Sequence, residues 1–292
     1  MRLVSNPVVT HLLAQEWFAR AQVPKPTALG TPLRYSSAYG CARQQGYAAL
    51  GAKPTEPMDE AGAWVTGLGT LIHEALQEAI GRKYPQAQFE VASGNDYISG
   101  SCDAYIPALS FGENWTGGDV LYELKTMGTY SFDDQVGWNR MKGTFKDRGA
   151  SGPAIKAIAQ AGMNALGLEK TMGVTIGTII MGSIGFEALS KNKAANMGVD
   201  SYNRFLAEFH INREEWEPLA LAEIARMETI NETITNGYLP ARVALDDDGH
   251  AITLTPGGRN WQCDYCSFKS VCANDGDGLV YVNESYMEES ES

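Results

Sequence analysis

Two short stretches hold residues able to act on a phosphate. In Asp119-Val-Leu-Tyr-Glu-Leu-Lys125 the two-residue period of a strand puts Glu123 and Lys125 on one face and Leu124 on the other. A carboxylate and an ammonium then project together. Upstream, Gly100-Ser-Cys-Asp103 places a second acid within an apolar strand, where a carboxylate is costly unless paired or metal-bound. Two acids and a lysine on neighbouring strands suit a hard divalent cation. Mg²⁺ or Mn²⁺ takes carboxylate oxygens and keeps waters, one of which attacks a phosphate while the lysine orients it or stabilises developing charge. Taken singly, the motifs read equally as a cross-strand ion pair and a turn aspartate.

The cysteines supply a second signal. Cys263 and Cys266 are two residues apart and Cys272 follows after five more, in Trp261-Gln-Cys-Asp-Tyr-Cys-Ser-Phe-Lys-Ser-Val-Cys272. Three thiols so close read as a metal site rather than disulfides. A fourth sulfur is wanted, and Cys41 lies far upstream in Tyr35-Ser-Ser-Ala-Tyr-Gly-Cys-Ala-Arg43. From spacing alone, structural zinc fits such a set. The fifth cysteine, Cys102, sits beside Asp103 and reads as a small buried hydrophobe. Five cysteines in 292 residues is no disulfide framework, and a reducing, cytoplasmic setting is expected.

Around these residues the chain is acidic, with 35 Asp plus Glu against 23 Lys plus Arg and a net charge of −12. That argues against a protein coating nucleic acid through its overall field, but the charge is uneven. The segment 275–292 holds six acids and no base, whereas Trp138 to Lys156 carries Arg140, Lys142, Lys146, Arg148 and Lys156 against Asp147 alone. A local basic patch and a solvated lysine-rich loop both fit. With 44% hydrophobic residues the chain can bury a sizeable core. No apolar run reaches the roughly 18 residues of a membrane span, and the N-terminus lacks a leader pattern, so no membrane partner is expected.

The elements that must position the chemistry follow from periodicity. The first 60 residues read as an irregular lead-in, with one short helix near Ala38 to Leu50. Leu68, Leu71, Ile72, Ala75, Leu76 and Ala79 recur at helical spacing up to Gly81. Gln88 to Ala92, Tyr97 to Ile106 and Asp119 to Thr126 read as a three-strand meander. A long polar stretch, Gly128 to Ser151, precedes a helix from Pro153 to Leu168. Strands at Gly173 to Gly182 and Arg204 to Ile211 and a helix at Arg213 to Gly237 complete the order.

Glu123-Leu-Lys125, preceded by Gly100-x-x-Asp103 and by Gly69-x-x-x-His73 on a helix, resembles the PD-(D/E)XK nuclease superfamily in its RecB-type branch. The resemblance implies an α/β, restriction-endonuclease-like fold: a mixed central sheet flanked by helices. It implies that His73, Asp103, Glu123 and the main-chain carbonyl of Leu124 hold the metal, and that Lys125 is catalytic with Glu123 and Asp103. The family's QxxxY motif is matched by Gln160-Ala-Gly-Met-Asn164; Gln160 fits, near the nucleic-acid channel, and Asn164 stands where the tyrosine is expected.

One cysteine before this core and three after it is similar to CRISPR-associated iron-sulfur exonucleases and to the AddAB nuclease. This implies a [4Fe-4S] cluster on Cys41, Cys263, Cys266 and Cys272, stapling the chain ends together. The implied organisation is an N-terminal segment 1–61, a nuclease core 62–237, an iron-sulfur segment 238–274 and an acidic tail 275–292. Arg43, Arg140 and Lys142 are candidate DNA contacts, and Trp138 and Tyr130 candidate stacking residues. The resemblance implies a metal-dependent exonuclease on single-stranded DNA, working 5′ to 3′. A homo-oligomer, or a helicase or recombination partner, is compatible with it. The alternatives are a non-catalytic iron-sulfur DNA-binding module and a zinc-stapled structural protein.

Overall fold

The computed structural model describes residues 18–19, 32–56, 58–139, 144–145, 151–186, 205–255, 261–275 and 280–281. A strand, β1 (Leu33–Arg34), and a helix, α1 (Ala42–Ala49), lead to the long helix α2 (Glu60–Lys83). The meander follows as β2 (Gln88–Gly94), β3 (Ile98–Ile106) and β4 (Asp119–Met127). Next come α3 (Thr129–Gln135), the two-residue strands β5 (Trp138–Asn139) and β6 (Thr144–Phe145), and α4 (Ile155–Met172). Strands β7 (Ile176–Gly185) and β8 (Leu206–Asn212) precede α5 (Arg213–Thr235). The C-terminal part holds β9 (Tyr238–Leu239), β10 (Val243–Leu245), β11 (Ala251–Thr253), α6 (Trp261–Asp264), α7 (Lys269–Asn274) and β12 (Val280–Tyr281).

The molecule is a mixed α/β structure. Its central sheet runs β1-β3-β4-β7-β8, with β2 also on β3. β4 and β7 pair in parallel, as do β1 and β3, and the remaining neighbours are antiparallel. Alternation along the strands builds two cores. Leu121, Ile179 and Met181 face α4 and α5, while Val120 and Ile180 face the side closed by Ile80 of α2. Small residues let α4 and α5 meet: a Cβ on Gly162 would stand 2.8 Å from the Ala220 Cβ.

The sheet forks beside Asp103. β2 occupies one edge of β3 from Ser99 to Tyr105, so β1 and β4 share the other. β1 pairs only at Ile98 and Ser99, and β4 only from Ala104 to Ile106. Between them β3 has no strand partner on that edge among the described residues, and its alternation is irregular. Cys102 packs with the α4 side and Ala104 with the α2 side, where a regular pleat would put both on one face. Across the β2–β3 ladder, Glu90 takes a φ of +48°.

Where periodicity is strong, the expected elements are present; the differences have local causes. α2 starts at Glu60, eight residues before Leu68, because Asp59 accepts a hydrogen bond from the Gly62 amide (2.8 Å) and caps it. The lead-in contains β1, too short for a periodic signal. The Gly128 to Ser151 stretch includes α3, whose Phe132 is buried against Gly185. Gly173 is not in a strand; it ends α4 in the left-handed conformation at φ +68°. No helix among the described residues is long and apolar enough to cross a membrane.

Gly100 lies in the fork. A Cβ there would stand 2.4 Å from the Tyr35 ring and 2.8 Å from Asn164 Oδ1. Gly100→Ala is therefore expected to lower stability by roughly 1–3 kcal/mol through overpacking. Thermal denaturation checks this, and an unchanged midpoint would count against the tight packing described.

Candidate functional site

The fork brings the acidic residues and the lysine together. The Leu124 amide, beyond the end of the β3–β4 ladder, donates to Asp103 Oδ2 at 2.6 Å. This fixes the carboxylate and leaves Oδ1 directed to His73, whose Nδ1 is 3.3 Å away. His73 comes from α2, which approaches β4 closely at Gly69: a Cβ there would lie 3.1 Å from Thr126 Oγ1. The 3.3 Å separation is near the ~3 Å between adjacent ligands of an octahedral cation with bonds of about 2.1 Å. The hydrogen bond to Asp103 raises the His73 pKa, and burial opposes it.

Glu123 and Lys125 share a face of β4, as the strand period requires. Lys125 Nζ donates to Glu123 Oε1 at 2.7 Å. Gln160 of α4 closes the triangle: its Nε2 donates to Glu123 Oε1 (3.0 Å) and its Oε1 accepts from Lys125 (3.2 Å). Glu123 is only 3% exposed, and its Oε2, fully buried, has no hydrogen-bond partner among the described residues. Burial pushes the Glu123 carboxyl from its ordinary 4.5 up to about 7, against the pull of Lys125.

The expected contact residues divide. Gln160 is a member of the lysine–glutamate group rather than an outlying contact. Asn164 is fully buried and braces the open edge of β3, donating to the Ser101 carbonyl at 3.1 Å. Arg43 corrects a candidate: its side chain is fully buried and its Nε donates to the Pro240 carbonyl at 2.8 Å. It joins α1 to the C-terminal part and cannot reach a phosphate. Arg140 and Lys142 lie outside the described residues, as do Lys146, Asp147 and Arg148 and the side chain of Trp138. Tyr130 is 80% exposed.

From Lys125 and Gln160 a groove of about 680 Å³ runs along α1 to the cysteine segment, bordered by Lys156, Gln44, Gln262 and Tyr265. Behind it, Cys41, Cys263, Cys266 and Cys272 line one small cavity with Arg242 and Leu254. The segments 41–56 and 263–275 are joined here. Tyr47 packs on Phe268 at 5.3 Å, the Thr55 amide donates to the Ser267 carbonyl at 2.8 Å, and the Ser270 amide to Glu56 at 3.0 Å. Cys41 follows a strained turn: Tyr39 has φ +62°, held by its amide on Glu223 (2.9 Å) and its carbonyl on the Leu245 amide (3.0 Å).

Two features had escaped the sequence. Arg242, 4% exposed, donates to Cys272 Sγ at 3.3 Å and to the Cys272 carbonyl; its one clue is a lone cation in an apolar run before the cysteines. The β10–β11 hairpin gathers Asp246, Asp248 and His250, with one potential ligand atom from each within 4.8 Å of the others. Asp246 is occupied by the amides of Asp248 and His250. Among the described residues no other metal-ligating trio comes so close; neither His73, Asp103 and Glu123 nor any three of the four cysteine sulfurs do. Burial raises the Cys41 and Cys263 thiols and takes Cys266 to about 11. It takes Cys102, buried as expected, to about 12.

No protein-family model and no curated protein matches this chain. Among solved structures, the crystal structure of SSO0001 resembles it at 16% identity with a TM-score of 0.49, over 92% of this chain and 97% of that one.

Because Glu123 has its folded pKa above the unfolded value, ionising it costs stability. The contribution of the Glu123 carboxyl is complete below about pH 4.5 and is lost as pH rises through about 7. In chelator, Glu123→Gln is expected to raise the melting temperature by a few degrees near pH 8, up to about 3 kcal/mol. The gain should shrink toward pH 5. An equal or absent gain at both pH values contradicts the buried-carboxylate account.

Proposed function

We propose that this protein is a metal-dependent deoxyribonuclease of the PD-(D/E)XK type, hydrolysing phosphodiester bonds with His73, Asp103, Glu123, Gln160 and Lys125. The observation that carries this reading is the unpartnered buried Oε2 of Glu123, beside the lysine and the His73–Asp103 pair. A buried carboxylate oxygen without a donor is costly, and a divalent cation is the partner its chemistry suits. Asp103, His73 and the Leu124 carbonyl complete the ligand set that the family resemblance implies.

A bound Mg²⁺ or Mn²⁺ supplies an acidified water and neutralises charge on the phosphate. The chain's own residues do the positioning. Lys125 has three protons, of which Glu123 and Gln160 engage two; the third is directed to the attacking water or a phosphate oxygen. Gln160 bonds both Lys125 and Glu123 and so fixes the pair against α4. The Leu124 amide holds Asp103 in one rotamer. Exonuclease action on single-stranded DNA, 5′ to 3′, is part of the proposal through the resemblance.

The four cysteines are proposed to hold a [4Fe-4S] cluster. The cavity is apolar, and Arg242 offers its N–H to one sulfur, features that tune cluster potentials. Binding a cluster would remove the thiol protons that burial retains on Cys41, Cys263 and Cys266.

Two experiments test these assignments. End-labelled single- and double-stranded DNA is incubated with anaerobically purified protein in Mg²⁺, Mn²⁺ or EDTA. Cleavage is expected with either metal, none in EDTA, and a loss of at least about 100-fold in Lys125→Ala; the label that disappears first gives the direction. Undiminished cleavage by Lys125→Ala would sink the assignment. Separately, the purified protein should be brown, with absorbance near 400 nm from four irons, and Cys41→Ser should lose both colour and thermal stability. A colourless protein containing one zinc would replace the cluster with a structural metal.

A further inference from the structure

Tyr265 stands out among the exposed side chains. It is 84% exposed, yet it lies between two cavity cysteines on a turn closed by the Cys266 amide and the Cys263 carbonyl (3.2 Å). Phe268, a few residues on, is anchored on Tyr47. The backbone beneath the ring is therefore fixed while the ring stands in solvent. It borders the same groove that begins at Lys125, so the groove joins the catalytic group at one end to a preset aromatic face at the other. Between them its lining includes the hydroxyl of Ser36 and the amide of Gln44, with Lys156 on the helix that carries Gln160. Asp246 and Asp247 of the β10–β11 hairpin also line it, so phosphates would lie toward Lys125 and Lys156 and a flat apolar ring toward Tyr265.

We propose that Tyr265 is a base-stacking residue, binding an unpaired base of single-stranded DNA laid in the groove. This deepens the nuclease reading and rests on it. An aromatic face accepts any base without regard to sequence, but only where the base is unstacked from its own strand. The cysteine segment would then bind substrate as well as join the chain ends, and Tyr265 would favour single strands over duplex.

The test measures binding of a labelled oligonucleotide by fluorescence anisotropy, with Lys125→Ala as the parent so that nothing is cleaved. Adding Tyr265→Ala is expected to weaken single-strand binding roughly 5- to 150-fold. Tyr265→Phe should restore it, and duplex affinity should not change. Visible absorbance and melting temperature, unchanged in both variants, show that the cysteine segment is intact. A parent that binds and a Tyr265→Ala variant that binds equally well overturn the stacking role alone. A parent that binds no single-stranded DNA overturns the nuclease reading and the stacking role with it.

Discussion

The site depends on one interruption: β3 and β4 stop pairing after Ala104 and Tyr122. In a continuous ladder the Leu124 amide would meet a backbone carbonyl of β3. Here it meets the Asp103 side chain instead, and Asn164 serves the Ser101 carbonyl that the missing strand would have served. Buried backbone groups must be satisfied, so the gap is supported by side chains whose polar ends converge on it. The irregular alternation around Asp103 and the close packing at Gly100 lie beside the same gap. The sheet supplies rigidity on both sides, and the converging polar side chains are confined to the break.

The gap also sets the electrostatics. Glu123 is the next residue along β4, with Gln160 and Lys125 over it and the sheet beneath. Water cannot reach its second oxygen, so the fold carries a buried carboxylate oxygen without a hydrogen-bond partner among the described residues. Structures tolerate such groups where function requires them, and the extensive β4–β7 ladder and the α4–α5 packing are the kind of surroundings that hold one in place.

Glu123 and Lys125 were legible together because the strand period puts them on one face; Asp103 read as an acid in an apolar strand, and His73 was joined to them only through the family resemblance, since the meeting of α2 with β3 depends on packing between distant segments. Gln160 was found by position, but its place against Glu123 and Lys125 was not, since a helix residue's partner depends on packing between distant segments. Arg43 misled for a related reason: an arginine beside a candidate ligand reads as exposed, and only the meeting of α1 with Pro240 buries it. β1 and α3 are too short to leave a periodic signal. Arg242 and Tyr265 carry no spacing pattern; their roles come from the closure of one chain end on the other.

That closure has a temporal meaning. Cys41 and Cys272 are 272 − 41 = 231 residues apart, and Glu56 waits for Ser270. On the ribosome the sheet has all its strands by Asn212, while α1 still lacks the segment that covers it. Long-range contacts form after local ones because their loop entropy must first be overcome. The cysteine cavity is therefore closed after the central sheet, and a chain truncated before it would keep every strand of that sheet yet leave Tyr47 and Thr55 without their partners Phe268 and Ser267.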